Sequence, residues 1–429
     1  MFLFRLLPLF LSGSRPWRLG LALLGCLGLA TTTPAVGQGA PFQLERAKAR
    51  RVKLPFLLQR NLMVVSTHLN GQGPYNFVLD SGVGTAIITD PALRSLLKLR
   101  AGQVYQLVGA GEMEEPLVAY ISDSVRVTMP GVVCPLMSFF VLSEDVLDLS
   151  GYVGMPIHGL LGFDVFRSFA VEVHPEENEM TLHRPATYQA PRGRRWTSVP
   201  LELDARRAYI TTQVDITDSL RFPLKLLLDT GGGHALSIET ESDVRLKLPA
   251  QHLRAQLGRG LSGNINGYLG RVPAIQLGRY KVPSLLASFP DNDNMHARVQ
   301  VPRNGNVGFE LLKRFNMVID YPHNRLLLRP NSFYRDPFEH DMSGIELLAV
   351  GADYRRYLIL KVLPDSPAAA AGLHPDDELI SINLLPTEAL TLSQVSRLLH
   401  SADNRQLLLI VRRPDGELFT TSLRLKRKI

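Results

Sequence analysis

The sequence predicts a mainly β chain: two related β lobes facing each other, followed by a smaller α+β module. Three observations carry this. Short apolar or alternating runs bounded by Gly, Pro, Asn and Asp dominate the chain, among them 62–69, 75–79, 124–129, 209–214 and 224–228. Val, Ile, Thr and Phe are frequent in them, which favours strands. Two long stretches repeat one order of elements at nearly one spacing, and from Gly344 the pattern changes to a mixed order of strands and short helices.

At roughly 100–200 residues per domain, 429 residues predict two to four domains. Apolar residues make up 45% and charged residues 20%, ordinary for a globular protein with several cores. The formal charge is +7, but its basic clusters, 46–53, 192–195 and 424–428, fall in expected linkers and a tail. A nucleic-acid surface needs such clusters on one face, interleaved with aromatics, so no nucleic-acid partner is expected.

Residues 1–37 read as an export signal. Arg5, Arg15 and Arg18 precede the apolar run 19–30, and Ala35-Val36-Gly37 offers small residues for cleavage. That run suits a signal and falls short of the ~20 residues that span a bilayer. Cys26, in Leu23-Leu24-Gly25-Cys26, resembles a lipoprotein acylation site. The expectation is a periplasmic or secreted protein, with a membrane or lipid anchor as the alternative. Cleavage would leave Cys134 as a lone cysteine in an apolar strand, a small buried hydrophobe. Residues 38–54 are then a leader segment, 55–185 the first lobe, 186–198 a linker, 199–330 the second lobe, 331–343 a linker and 344–429 the third domain.

The duplication is explicit in the residues. The first copy runs Asn76-Phe77-Val78-Leu79-Asp80-Ser81-Gly82, then Gly159-Leu160-Leu161-Gly162-Phe163, then Phe169 to Pro175. The second runs Lys225-Leu226-Leu227-Leu228-Asp229-Thr230-Gly231, then Gly305-Asn306-Val307-Gly308-Phe309, then Phe315 to Pro322. Asp80 to Gly162 is 82 residues and Asp229 to Gly308 is 79; Gly162 to Phe169 and Gly308 to Phe315 are both 7. Matching order at matching intervals implies two related lobes, an intramolecular version of a two-fold dimer.

Each copy carries apolar-apolar-Asp-(Ser/Thr)-Gly. An Asp ending a buried strand sits where charge is costly. The hydroxyl can fix the loop, and Gly lets the backbone turn and approach the carboxylate. One Asp-Ser-Gly is a plain turn. Two at equivalent points of a duplication bring Asp80 and Asp229 together. Two carboxylates that close cannot both ionise easily, so they share one proton, as the dyad of aspartic proteases does. Such a pair activates water against a peptide carbonyl without metal or cofactor.

These loops resemble the retropepsin-like aspartic peptidases, the fold shared with pepsin. Leu79-Asp80-Ser81-Gly82-Val83 and Leu228-Asp229-Thr230-Gly231-Gly232 are similar to that family's catalytic loop. Leu160-Leu161-Gly162 and Asn306-Val307-Gly308 resemble its second signature, which packs behind the loop. The resemblance spans about residues 55–330. It implies that Asp80 and Asp229 are catalytic, that Ser81 and Thr230 brace them, and that Gly82 and Gly231 shape the loops. Asn306 stands where the family has an apolar residue, and Gly231-Gly232-Gly233 is unusually glycine-rich.

Glycine-rich segments about 30 residues after each Asp are flap candidates: Gly109 and Gly111 in the first lobe, Gly260 and Gly263 in the second. His234 follows the second loop within reach of substrate or solvent. Asp164 and Glu310 are expected near the N-termini of short helices. No metal site is expected, because His158 and His174 lack partners at ligand spacing.

In the last domain, Ser366 or Asp365 caps an Ala-rich helix with Pro367 in its first turn and Gly372 at its end. Ser366-Pro367-Ala368 through Ala371-Gly372-Leu373, followed by Asp377-Glu378-Leu379-Ile380 and Asn383, resembles a PDZ domain of the kind attached to bacterial peptidases. That resemblance implies a groove taking peptide termini or extended segments as an added strand. The groove is placed at Arg356, Tyr357 and Leu358, facing Val395 and Leu399. The expected function is a monomeric aspartic endopeptidase whose PDZ module recruits polypeptide substrates. The alternative is a catalytically silent peptide-binding scaffold of the same fold.

Overall fold

In the computed structural model the described residues are 2–3, 40–100, 102–109, 111, 117–291 and 301–429. Most of the segment read as an export signal, Cys26 included, lies outside them. The fold is mainly β, with short helices at strand ends.

Two sheets are assembled in one order. In the first, the hairpin Leu62–Leu69 and Gln72–Leu79 is followed across the sheet by Gly159–Leu161, Ile87–Ile88, Val132–Leu142, Leu117–Met129 and Val104–Gly109. In the second, Arg207–Asp215 and Arg221–Asp229 are followed by Gly305–Gly308, Leu236–Ile238, Tyr280–Pro290, Gly263–Leu277 and His252–Gly260. The register agrees as well. Leu160 lies opposite Val78 and Leu161 opposite Leu79; Asn306 lies opposite Leu227 and Val307 opposite Leu228. Both pairings are parallel, so the strand ending in each Asp is sheltered on both sides and reads as a continuous apolar run.

A third sheet joins the halves. Its middle strands, Ala170–His174 and Phe315–Asp320, pair antiparallel, with Val171 opposite Ile319 and Val173 opposite Met317. Each is flanked by its own hairpin partner, Glu179–His183 or Arg325–Pro330. The outer strands are Arg51–Pro55 and Thr197–Pro200. One hydrophobic core runs through both halves and includes Leu79, Leu161, Leu228 and Val307. Cys134 is buried in it.

Three stretches read as leader or linker are built into this body. Gln43–Leu44 pairs with Val132–Val133, and Arg51–Pro55 edges the joining sheet. Phe42, Leu44 and Leu54 are buried, so the described part of the leader segment, 40–54, packs into the first half. Thr197 and Ser198, at the end of the expected interlobe linker, pair with Leu328 and Leu327. In the second linker Phe338 and His340 are buried and Arg314 donates to the carbonyls of Asp336 and Pro337. Their polar, Pro-rich composition hid apolar residues too widely spaced to show a strand period.

The C-terminal unit has its own core, built from Ile345, Leu347, Tyr357, Ile359, Val395, Leu399, Leu409 and Val411 among others. Its strands order as Ile345–Val350, Arg356–Val362, Glu378–Ile382, Gln406–Arg412 and Leu418–Arg424. Ser366 caps the helix Pro367–Ala370 by accepting from Ala369 N–H at 3.2 Å. The helix Leu392–Leu399 starts with a capping box between Thr391 and Gln394.

Candidate active site

The two Asp loops are held by the same bonds. Asp80 C=O accepts from Val83 N–H at 3.2 Å, and Val83 C=O from Phe163 N–H at 3.0 Å. Asp229 C=O accepts from Gly232 N–H at 3.3 Å, and Gly232 C=O from Phe309 N–H at 2.7 Å. The Gly-Phe step thus packs behind each loop and fixes its turn.

The loops are also locked to each other. Thr230 Oγ1 accepts from Ser81 N–H at 2.9 Å and donates to Leu79 C=O at 2.8 Å. Ser81 Oγ accepts from Thr230 N–H at 3.0 Å and donates to Leu228 C=O at 2.6 Å. Both hydroxyls are fully buried, and together the four bonds make the two loops one unit.

Asp80 and Asp229 are each 6% exposed. A Cβ on Gly82 would stand 3.1 Å from Asp80 Oδ1 and 3.2 Å from Asp229 Oδ1, so those oxygens are at most 6.3 Å apart, the sum of the two contacts. A Cβ on Gly231 would lie 2.1 Å from Asp80 Cγ, so only glycine leaves room for that carboxyl. Burial, then the charge of Asp229, pushes the Asp80 carboxyl up to about 7, against the pull of Gly82 N–H, which donates to its Oδ1 at 2.7 Å.

The pair is not symmetric. Asn306 Nδ2 donates to Asp229 Oδ2 at 3.1 Å. The equivalent register position beside Asp80 is Leu160, which has no donor to offer. His234 stands where the first loop has Thr85. Burial lowers its basicity, and its Nε2 is buried without a protein partner among the described residues.

Several supporting residues escaped the sequence reading. Arg207 Nε donates to Gly82 C=O at 2.8 Å, and Tyr321 hydroxyl to Ser81 C=O at 3.4 Å. Hairpin tips Arg60-Asn61 and Ala205-Arg206, all with positive φ, each reach the opposite loop. Asn61 Nδ2 donates to Gly233 C=O at 3.0 Å, and a Cβ on Gly84 would touch Arg206 Cβ at 3.4 Å. Turn signals between apolar runs mark these tips in sequence; their partners, 172 residues away for Asn61 and Gly233, are not marked.

The flap candidates meet. A Cβ on Gly111 would clash with Ser262 C=O, and Gly260 pairs with Gly263 at the tip of the second hairpin. Leu261 at that tip is buried in the first half, in a cluster with Val83, Leu107 and Leu117. Gly109 ends its strand, and Ala110 lies outside the described residues. Asp164, in the first turn of its helix, pairs with Arg167 and Arg206, while Glu310 pairs with Lys313 and Arg314.

The C-terminal unit combines a five-strand order, a short helix capped by Ser366 and a longer helix opened by Thr391. Residues 358–413 match the PDZ domain family. That stretch is a PDZ domain. No curated protein matches the chain. Among solved structures, a photosystem II D1 C-terminal processing protease is similar at 24% identity, over 20% of this chain and 23% of that one. Its TM-score of 0.19 carries no argument about fold or chemistry.

The PDZ groove is not where the sequence reading put it. Arg356, Tyr357 and Leu358 lie in an inner strand, paired on one side with Val350, Ala349 and Leu348. On the other side Tyr357 and Leu358 pair with Leu379 and Glu378. Neither side has room for an added strand. Tyr357, Val395 and Leu399 are core side chains, and Arg356 is ion-paired with Glu378. The sheet's two edges are Ile345–Val350 and Leu418–Arg424; the first is the one next to Leu392, since a Cβ on Gly154 would stand 2.8 Å from Leu392 Cβ and 3.7 Å from Ala349 Cβ, so an added strand would lie there. Alternation along 356–362 shows a strand but not which neighbours take its two edges.

Proposed function

We propose that the chain is an aspartic endopeptidase with Asp80 and Asp229 as a shared-proton pair, the PDZ domain presenting extended polypeptide to it. The observation that carries this reading is the reciprocal lock between Ser81 and Thr230, which holds both carboxyls beside Gly82.

Asp80 is the member that holds the proton, since burial and the charge of Asp229 make its own charge costly. Asp229, to whose Oδ2 Asn306 donates, takes the part of the base. Asp229 takes a proton from a water held between the two as that water attacks the peptide carbonyl carbon. Asp80 gives its proton to the carbonyl oxygen, where negative charge develops. Asp229 then protonates the leaving nitrogen, the C–N bond breaks, and Asp80 recovers a proton from the diol. The pair returns to its starting state with one water consumed. The converging tips at Gly111 and Ser262 suit a roof that excludes bulk solvent. Export, suggested by residues 1–37, fits a peptidase acting on unfolded polypeptide.

The test is Asp80→Asn and Asp229→Asn, each assayed on denatured protein from acid to neutral pH. Each is expected to lose at least roughly a hundredfold in turnover, the lower range of general acid–base effects. Parental rates in both variants would sink the mechanism. Tight peptide binding by the parent with no product would establish the silent scaffold instead.

A further inference from the structure

The Ile345–Val350 edge of the PDZ sheet is covered by the chain itself. The helical turn Leu149–Val153 of the first half packs on Ile345–Val350. A Cβ on Gly151 would come within 2.6 Å of Leu348 Cδ1. A Cβ on Gly154 would stand 2.8 Å from Leu392 Cβ and 3.7 Å from Ala349 Cβ. Leu348 and Ala349 face opposite sides of the strand, and Leu392 opens the helix beside it. The turn therefore lies along the edge, next to the start of that helix.

A second contact ties the same helix to the Asp229 loop. Arg60 donates from its backbone N–H to Ser393 Oγ at 2.9 Å and from its guanidinium to Ser396 Oγ at 3.0 Å. Ser393 Oγ donates to Gln59 Oε1 at 2.7 Å. The Arg60 guanidinium lies over the ring of Tyr152, 4.6 Å from its centroid, so the two contacts share one junction. From there it is one step to the loop. Asn61 holds Gly233 C=O, and a Cβ on Gly233 would stand 3.1 Å from Arg60 C=O and 3.5 Å from the Tyr152 hydroxyl. Lys313 Nζ donates to Asn61 Oδ1 at 2.8 Å and completes the clamp.

We infer that the PDZ domain is docked in a self-occupied state, with residues 149–154 standing where an incoming extended polypeptide would pair. Displacing that turn releases the hold of Arg60, Asn61 and Tyr152 on Gly233. Occupancy of the PDZ edge and the setting of the Asp229 loop are then one coupled equilibrium, whose magnitude is the difference in fit of the loop to the docked and undocked states. Gly231-Gly232-Gly233 has the backbone freedom to respond, since three successive glycines place no Cβ in the loop.

The experiment is hydrogen–deuterium exchange on the full chain, comparing Leu348→Asp and the double variant Ser393→Ala with Ser396→Ala. Both are expected to expose amides of 149–154 and to make amides of 230–234 exchange roughly tenfold faster, with the PDZ strands 406–412 still protected. Should Leu348→Asp unfold the PDZ domain, the serine variant, which removes only the two half-buried hydroxyls that bond Arg60 and Gln59, decides. Exposure of 149–154 with no change at 230–234 would overturn the coupling. No exposure of 149–154 in the serine variant would overturn the docking role of Arg60. Exchange is read without substrate, so this result stands or falls apart from the peptidase reading.

Discussion

Ser81 and Thr230, 149 residues apart, each accept a hydrogen bond from the other's backbone N–H and donate to a carbonyl of the opposite strand. This reciprocity sets the distance between the two Asp side chains more firmly than either loop does alone. A hydroxyl is needed because each oxygen must accept and donate at once in a site without water access.

Removing one hydroxyl should therefore cost stability as well as geometry. Thr230→Val leaves Ser81 N–H and Leu79 C=O buried without their partner, at about 1–3 kcal/mol each. Thr230→Ser keeps both bonds and should cost less than about 1 kcal/mol. Denaturant unfolding of the two variants separates the hydroxyl from the methyl group.

Asp80 should make the protein less stable as pH rises. Its folded carboxyl lies above the ordinary 3.8, at about 7, so the folded state favours the proton. That preference costs nothing below the unfolded value. Above it, stability falls progressively until pH passes the folded value, by a total on the order of a few kcal/mol. Unfolding free energies of the parent and Asp80→Asn, compared across this window, should diverge in that direction. A pH-independent difference would show that Asp80 carries its charge as readily folded as unfolded.

Asn306→Leu would copy Leu160 and make the two halves alike. The carboxyl pair loses the amide that donates to Asp229 Oδ2, a hydrogen bond that favours the singly charged pair. The acid limb of the pH–rate profile should move to higher pH, with KM little changed. Asn306→Asp places a third acid beside the pair and should lower turnover further. A profile unmoved by Asn306→Leu would mean that the amide does not bias the pair.

Leu261→Ala tests the roof. The side chain is 1% exposed and packs against the first half from the second half's hairpin. Its loss should cost about 2–5 kcal/mol if the contact breaks only on global unfolding, and less if the tip simply lifts. In the second case exchange at Leu107 and Leu117 rises while the global transition barely moves, and KM increases.

The residues of both Asp loops were legible because the chain says them twice, and repetition at matched spacing needs no structure to be seen. The strand hairpins and the capped helix at Ser366 were legible for a local reason: period, turn residues and caps act within a few positions. The PDZ edge was misplaced because the resemblance was carried onto the second strand, and period-two alternation along Arg356–Val362 does not tell an inner strand from an edge strand. Residues 38–54 read as a leader because the two short outer strands at 43–44 and 51–55 need few apolar residues.

What the sequence determined alone is the local chemistry: two acids at strand ends, each with a hydroxyl and a glycine beside it, and a module with the capping and turn residues of a PDZ domain. What only the tertiary structure decided is which distant groups meet. Asn306 reaches Asp229, Leu261 enters the opposite half, and the turn at Gly151 covers Leu348. Caps, turns and strand period depend on neighbours along the chain, whereas these contacts depend on how whole sheets stack. A side chain carries no mark of a partner it meets only after the halves have closed.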